Sequence, residues 1–362
     1  MMPVLAVLYT AAVLFISWQT ELSICFLLGM KSTYGCTYIG IAVCAFLLVL
    51  HEVKDPSWGR PWIKRIIGFV CCLFIYYAML TAMWGLIGLL LSIDSMVIAV
   101  GTLIMAGMAV LIVLLGYLYT NIIRKRVYSV KVGTAGAIYR IALMSDIHLG
   151  AHVGVRYVQR IVRAVNELSA DLVVIAGDLF DEDNAILKDG AALEKISQSL
   201  RGIRAKDGVY FAPGNHDPKA TNELFLTFLE DGNIRLLHND ITEFPNFNLI
   251  GRSDAARNTR APLTELMQRA DPEKVTVVID HDPKGIPEAA EQGVELVLCG
   301  HTHAGQLFPG NVFTKLANGK RFFYGHEVFG NTHGIISSGV GIFNLPVRVG
   351  TSNEILEIRL GI

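Results

Sequence analysis

Charge is scarce in this chain of 362 residues: Asp, Glu, Lys and Arg make up 17% of it, against about 25% in an ordinary soluble domain. The shortage is uneven. Residues 1–130 hold eight of the 31 Lys and Arg and four of the 32 Asp and Glu, which leaves 23 basic against 28 acidic residues, a net of −5, for the rest. A mildly acidic second half excludes a nucleic-acid-binding surface, and its carboxylates suit a bound cation better than a bound polyanion. Cysteine is scarce as well. Five of the six, Cys25, Cys36, Cys44, Cys71 and Cys72, lie in or beside apolar runs, where a thiol behaves as a small hydrophobe. Cys299 stands alone in the polar half and can close no disulfide there, so nothing demands an oxidising compartment. The front end also lacks the basic start and small-residue cleavage site of a signal peptide, so its first apolar run reads as a retained helix.

What the front end has is apolar length. Runs at about 2–18, 33–50, 66–91 and 96–120 contain no acidic, basic or histidine residue. The last two are long enough to cross a hydrocarbon core of about 30 Å and the first two are marginal. Together they predict a four-helix transmembrane domain over 1–121, with no ionic path through it. Lys54, Arg60, Lys64 and Arg65 follow the second run, and Arg124, Lys125 and Arg126 follow the fourth, whereas the other two loops offer only Lys31. By the positive-inside rule both basic segments, the N-terminus and everything after residue 121 are cytoplasmic. Trp58, Trp62, Tyr117 and Tyr119 stand near span ends, as interfacial aromatics do. Residues 122–137 read as a linker carrying a short strand over 127–132, ahead of a second domain over 138–362.

In that second domain apolar strands alternate with helical periodicity, which predicts α/β layers with functional turns at the C-terminal ends of strands. The run 141–144 ends at Asp146 and His148; if the strand continues through them, both project to one side. A hard oxygen beside an imidazole suits a divalent transition metal. Four more strand-end turns follow: Gly177-Asp178, Pro213-Gly-Asn-His-Asp217, Asp280-His-Asp-Pro283 and Gly300-His-Thr-His303. Each alone is an ordinary polar turn; five in this order form a specific pattern.

The succession Asp-x-His, Gly-Asp, Gly-Asn-His-Asp, His, Gly-His-x-His resembles the calcineurin-like metallophosphoesterase superfamily over 138 to about 355. The resemblance implies a four-layer sandwich of two mixed sheets flanked by helices, and two divalent metal ions (Mn, Fe, Zn or Co). Asp146, His148, Asp178 and His303 would hold one ion, and Asp178, Asn215, His281 and His301 the other, with Asp178 bridging. The multi-span front end and the Gly300–Gln306 context are similar to a membrane-anchored branch that includes a hydrolase of UDP-2,3-diacylglucosamine. Two such ions clamp a phosphoryl oxygen and bring the pKa of water toward ~7. His216 follows a ligand position directly and is expected to stabilise the transition state or protonate the leaving oxygen, with Asp217 fixing its tautomer. The expected substrate is a phosphodiester or diphosphate of a lipid or lipid precursor; the alternatives are a soluble nucleotide or phosphoprotein, or a scaffold on a retired hydrolase fold. Arg252, Asp254, His152, His326 and His333 read as ordinary ion-pairing or loop residues, and Cys299 as buried core.

A cysteine introduced between residues 51 and 65 should resist an impermeant maleimide on intact cells. Ready labelling would invert the topology or remove a span.

Overall fold

The computed structural model describes residues 17–31, 61–132, 136–182 and 184–362. The chain divides into two compact units, Met1–Leu118 and Tyr119–Ile362.

In the first unit, residues 17–28 are helical (α1). Helices α2 (Pro61–Leu90) and α3 (Ser95–Thr120) follow. At about 1.5 Å per residue they extend about 45 and 39 Å, long and apolar enough to cross a membrane by length and composition. Their outer faces carry bare Leu89, Leu111 and Leu115. They correspond to the third and fourth apolar runs; nearly all of the first run and the whole of the second lie outside the described residues. The described helix α1 runs on past residue 18, where the first apolar run ends, through Gln19, Glu21 and Ser23, which are buried. Gln19 donates to Thr102 Oγ1 at 3.4 Å, and Thr20 Oγ1 lies 2.5 Å from the Tyr77 hydroxyl. Tertiary packing therefore carries an acidic residue into a helical layer that hydropathy reads as free of charge.

The second unit contains two six-stranded mixed sheets. Sheet one has the order β1-β12-β2-β3-β4-β5, built from β1 (Ile123–Lys131), β2 (Ile138–Met144), β3 (Leu172–Ala176), β4 (Val209–Ala212), β5 (Ile234–Leu236) and β12 (Asn353–Gly361). Sheet two has the order β10-β11-β9-β8-β7-β6, built from β6 (Asp240–Glu243), β7 (Phe247–Arg252), β8 (Val275–Asp280), β9 (Leu296–Cys299), β10 (Gly325–Phe329) and β11 (Thr332–Ile336). The short strand expected over 127–132 is present and starts earlier: β1 takes in Arg124, Lys125 and Arg126, pairs in parallel with β12 over all nine residues and buries Val130. Those three basic side chains are exposed, so burial gives no signal of where the strand begins.

Alternation along the strands builds the layers. In β3, Val173 and Ile175 face α4 (Val155–Asn166), α5 (Gly190–Leu200) and α6 (Glu223–Asp231), while Leu172, Val174 and Ala176 face the other sheet. In β9, Leu296 and Leu298 point between the sheets, and Val297 and Cys299 meet α7 (Leu263–Met267) and α8 (Ile286–Glu291). Three apolar clusters thus separate four layers, helix, sheet, sheet, helix. Each fully buried aliphatic side chain contributes about 1.5–3 kcal/mol. β2, β3 and β4 run parallel within sheet one and β7, β8 and β9 within sheet two, so the turns after each set gather at one edge of their sheet.

Candidate metal centre

β2 stops at Met144, so Asp146 and His148 are not presented by strand alternation. Both adopt a left-handed backbone, φ +51° and +52°. Their N–H groups donate to the carbonyls of Gly177 and Asp178, each at 3.0 Å, which locks the first turn against the second. Asp178 (φ +52°), His301 (φ +74°) and His303 (φ +52°) are left-handed as well. Such a backbone costs a non-glycine residue roughly 1–2 kcal/mol, and clustered strain of this kind marks functional sites.

The turns bring the side chains into two buried groups. Asp146, His148 and His303 place one donor atom each within 4.8 Å of one another, as do Asp146, Asp178 and His281. The groups share Asp146, whereas the family resemblance implies Asp178 as the shared carboxylate. Asp178 Oδ2 nonetheless lies 3.1 Å from His281 Nε2 and 3.8 Å from His148 Nε2. Asp146 Oδ1 is 3.4 Å from His303 Nε2 and 3.9 Å from His281 Nε2. Asn215 Oδ1 sits 2.9 Å from His301 Nδ1, and the His301 N–H donates to the Asp146 carboxylate at 3.0 Å. All seven candidate ligands therefore lie on one connected edge.

Nitrogen orientation tests whether a cation fits. His281 Nδ1 donates to the Ala176 carbonyl at 2.8 Å, so Nε2 is the atom turned toward Asp178 and Asp146. Nε2 is buried without a hydrogen-bond partner. His148 Nε2 and His303 Nε2 face each other at 3.1 Å. Imidazole nitrogens meeting over buried carboxylates form an arrangement that a divalent ion satisfies. The titration directions agree. Burial, partly offset by His281, pushes the Asp146 carboxyl up to about 6. Burial works against a charged His281, yet Asp178 and Asp146 hold its proton well above the usual histidine range. Burial pushes His148 down to about 3. The carboxylates thus call for positive charge at this edge, while the buried imidazoles of His148 and His303 stay neutral and free to donate a lone pair.

His216 is partly exposed at the rim, its Nε2 3.9 Å from Asp178 Oδ2. Its N–H donates to Asp178 Oδ1 at 2.9 Å. Asp217 does not orient it as expected. The Asp217 carboxylate accepts the N–H groups of Asp178 at 2.8 Å, Gly214 at 2.7 Å and Phe180 at 3.0 Å, which spends both oxygens on tying two turns together. Burial and then the Asp178 charge push its carboxyl up to about 7. The remaining conspicuous residues sit elsewhere: Arg252 pairs bidentately with Glu288, His326 meets His333 at 2.9 Å, and His152 bonds the Asn344 carbonyl. Burial pushes the Cys299 thiol well above its ordinary range, which leaves it inert as a nucleophile.

Three contributors escaped the sequence. The Phe343 ring lies 4.8, 5.0 and 5.5 Å from those of His148, His216 and His303. Gln306 holds it in place, accepting from the Phe343 N–H at 3.0 Å and donating to the carbonyls of Phe343 and Leu345. Arg348 is fully buried and donates to the carbonyls of Ser338, Gly341, Ser352 and His303. The loop it gathers returns Val340 and Gly341 N–H groups to the carbonyls of Ser145 and Asp146, both at 3.0 Å. Phe343 and Arg348 stand in a Gly-rich tail without a spacing signal, and Gln306 closes the Gly300–Gln306 stretch noted in the sequence, where nothing announces its role.

Comparison with known proteins agrees with this geometry. Residues 139–305 match the family model described as calcineurin-like phosphoesterase. A metallophosphoesterase of Helicobacter pylori, itself named as uncharacterized, is 33% identical over 230 residues, covering 61% of this chain and 59% of its own. A "transmembrane protein with metallophosphoesterase domain" from Danio rerio is 35% identical over 238 residues, covering 61% and 53%. A further uncharacterized metallophosphoesterase, from Aquifex aeolicus, is 26% identical over 265 residues, covering 70% and 97%. The chain spans only a little over half the length of the first two. Residues 139–305 are thus similar to the calcineurin-like phosphoesterases, the resemblance that the motifs carry.

At Gly300 a Cβ would lie 2.4 Å from Asp146 Oδ2 and 2.6 Å from Ser145 Cβ. Gly300→Ala should therefore displace the Asp146 carboxylate and weaken metal binding about 10- to 100-fold, the usual effect of disturbing a ligand's support. Metal titration by calorimetry checks this; unchanged affinity would show that the close approach does not matter.

Proposed function

We propose that this chain is a membrane-bound, metal-dependent phosphoester hydrolase, acting on a phosphodiester or diphosphate of a lipid or lipid precursor, with its catalytic unit on the cytoplasmic side. The observation that carries the reading is the buried set of imidazole nitrogens turned on two carboxylates, with His281 Nε2 left without a hydrogen-bond partner. Asp146, His148 and His303 would hold one divalent ion, and Asp146, Asp178, His281, Asn215 and His301 a second. Bound there, the ions supply polarisation of the phosphoryl group and activation of water.

The chain's own residues do the rest. His281 is fixed by Ala176, and Asp178 by the His216 N–H on one oxygen, its other oxygen facing His281 Nε2 at 3.1 Å. His216, the rim imidazole, would give a proton to the departing oxygen. The Phe343 ring lies against that imidazole, 5.0 Å between centroids. Membrane attachment is supported by the length of α2 and α3 and by the basic residues at 54–65 and 124–126. The named membrane relative from Danio rerio points the same way. A lipid-linked substrate follows from that placement, because confinement to the interface raises its effective concentration at the site.

The full-length protein with Mn²⁺ should hydrolyse bis-p-nitrophenyl phosphate and turn over a lipid diphosphate in mixed micelles more efficiently. Asp178→Ala should lose metal and turnover together. His216→Ala should keep its metal and lose about 10²- to 10⁴-fold in kcat, the range of general acid catalysis. Absence of turnover with any divalent ion would refute the hydrolase, and a preference for the soluble ester would refute the lipid substrate.

A further inference from the structure

Between the His301–His303 turn and β10 the chain makes an excursion that the metal centre does not use. Its α-helix, α9 (Gly310–Asn318), has no buried residue. Phe313 is 66% exposed, Leu316 76%, and Val312 45%, and the three recur at helical spacing on one face. Three large apolar side chains bare on one face form a contiguous patch of the kind that marks an interaction surface.

Both feet of the excursion stand on the metal turn. At Gly305 (φ +73°) a Cβ would lie 2.2 Å from Asn311 Cα, so only glycine lets the first turn of α9 rest there. The Thr302 hydroxyl donates to the Phe323 carbonyl at 2.6 Å, and the Phe308 N–H to the Val349 carbonyl at 2.9 Å. Whatever α9 binds is therefore held beside His301 and His303.

Charge selects the occupant. From Ala304 to His326 there is no acidic residue, while Lys315, Lys320 and Arg321 fall within that stretch of a chain whose overall net charge is −1. Arg321 is engaged locally, 3.8 Å from Glu327 and stacked 3.7 Å over the Phe329 ring. Lys315 and Lys320 are exposed or half-exposed beside the apolar face. A short helix with Phe, Leu and Val on one side and lysines at its flank has the composition of an element that lies in a membrane interface, and lysines there are drawn to anionic headgroups. Connectivity adds to this: α3 ends at Thr120 and β1 begins at Ile123, so only two residues of chain separate the apolar helix from the catalytic unit.

We infer that α9 is a bilayer-docking element: Val312, Phe313 and Leu316 enter the interface of an anionic membrane, Lys315 and Lys320 engage its headgroup phosphates, and the His301–His303 turn is thereby held at the lipid surface. The inference rests on the membrane-bound reading given above and adds a contact that reading does not require.

The test places the photo-cross-linker p-benzoylphenylalanine at single positions of the full chain in nanodiscs of phosphatidylcholine with a minority of phosphatidylglycerol. Position 313 reports on α9, Leu111 on α3, and Leu224, similarly bare on α6, serves as the off-face control. Irradiation should give lipid adducts at 313 and 111 and none at 224. Lys315→Glu with Lys320→Glu should cut the adduct at 313 several-fold and leave that at 111 unchanged. Lipid at 111 with none at 313, equal adducts at 313 and 224, or cross-linking of 313 to a second copy or another protein would overturn the docking role and leave the membrane reading standing. No adduct at 111 would overturn both.

Discussion

The hydrogen bond from His281 Nδ1 to the Ala176 carbonyl, 2.8 Å long, joins the end of one sheet to the end of the other at the point where every ligand turn converges. It fixes the tautomer, so the second nitrogen has nowhere to point except at Asp178 and Asp146. Two buried carboxylates beside one another are costly without a counter-charge, and this bond determines that the counter-charge arrives between the sheets. The packing of the two sheets, led by Leu143, Val174, Ile279 and Leu298, is what keeps donor and acceptor in register.

Around that bond the structure spends side chains on holding backbone. Asp217 gathers three N–H groups from two turns, and Arg348 gathers carbonyls from the loop behind Asp146. Five left-handed residues among the candidate ligands need such support, since each would relax if its neighbours allowed it. Removing a buried guanidinium would leave several carbonyls unsatisfied at once, a loss of about 1–3 kcal/mol for each. Phe343 completes the arrangement from the apolar side, against the rings of His148, His216 and His303.

Much of this was legible beforehand, for identifiable reasons. Buried parallel strands such as Leu172–Ala176 and Leu296–Cys299 read as short apolar runs closed by polar turns, and the ligand types Asp, His and Asn carry their chemistry in their identity. What failed to show was whatever depends on partners distant in sequence. The basic first part of β1, residues 123–126, looked like linker because its pairing with β12 lies more than two hundred residues away. Asp217 looked like an orienter for its neighbour His216, and the structure turns it toward Asp178, Gly214 and Phe180 instead. Burial of Gln19 and Glu21 beyond the apolar run could not be read from hydropathy, which does not see the helices that bury them. Arg348 and α9 had no pattern at all, one acting through backbone carbonyls and the other defined by what it leaves uncovered.

The central claim is that two cations share the edge where the sheets meet. Anomalous diffraction from crystals of the full chain grown with Zn²⁺ tests it most directly. The account predicts two peaks, one among Asp146, His148 and His303 and one among Asp146, Asp178 and His281, each at about 2.0–2.2 Å from its nearest nitrogen and oxygen donors. Peaks elsewhere in the molecule, or none at this edge in crystals soaked to saturation, would contradict it.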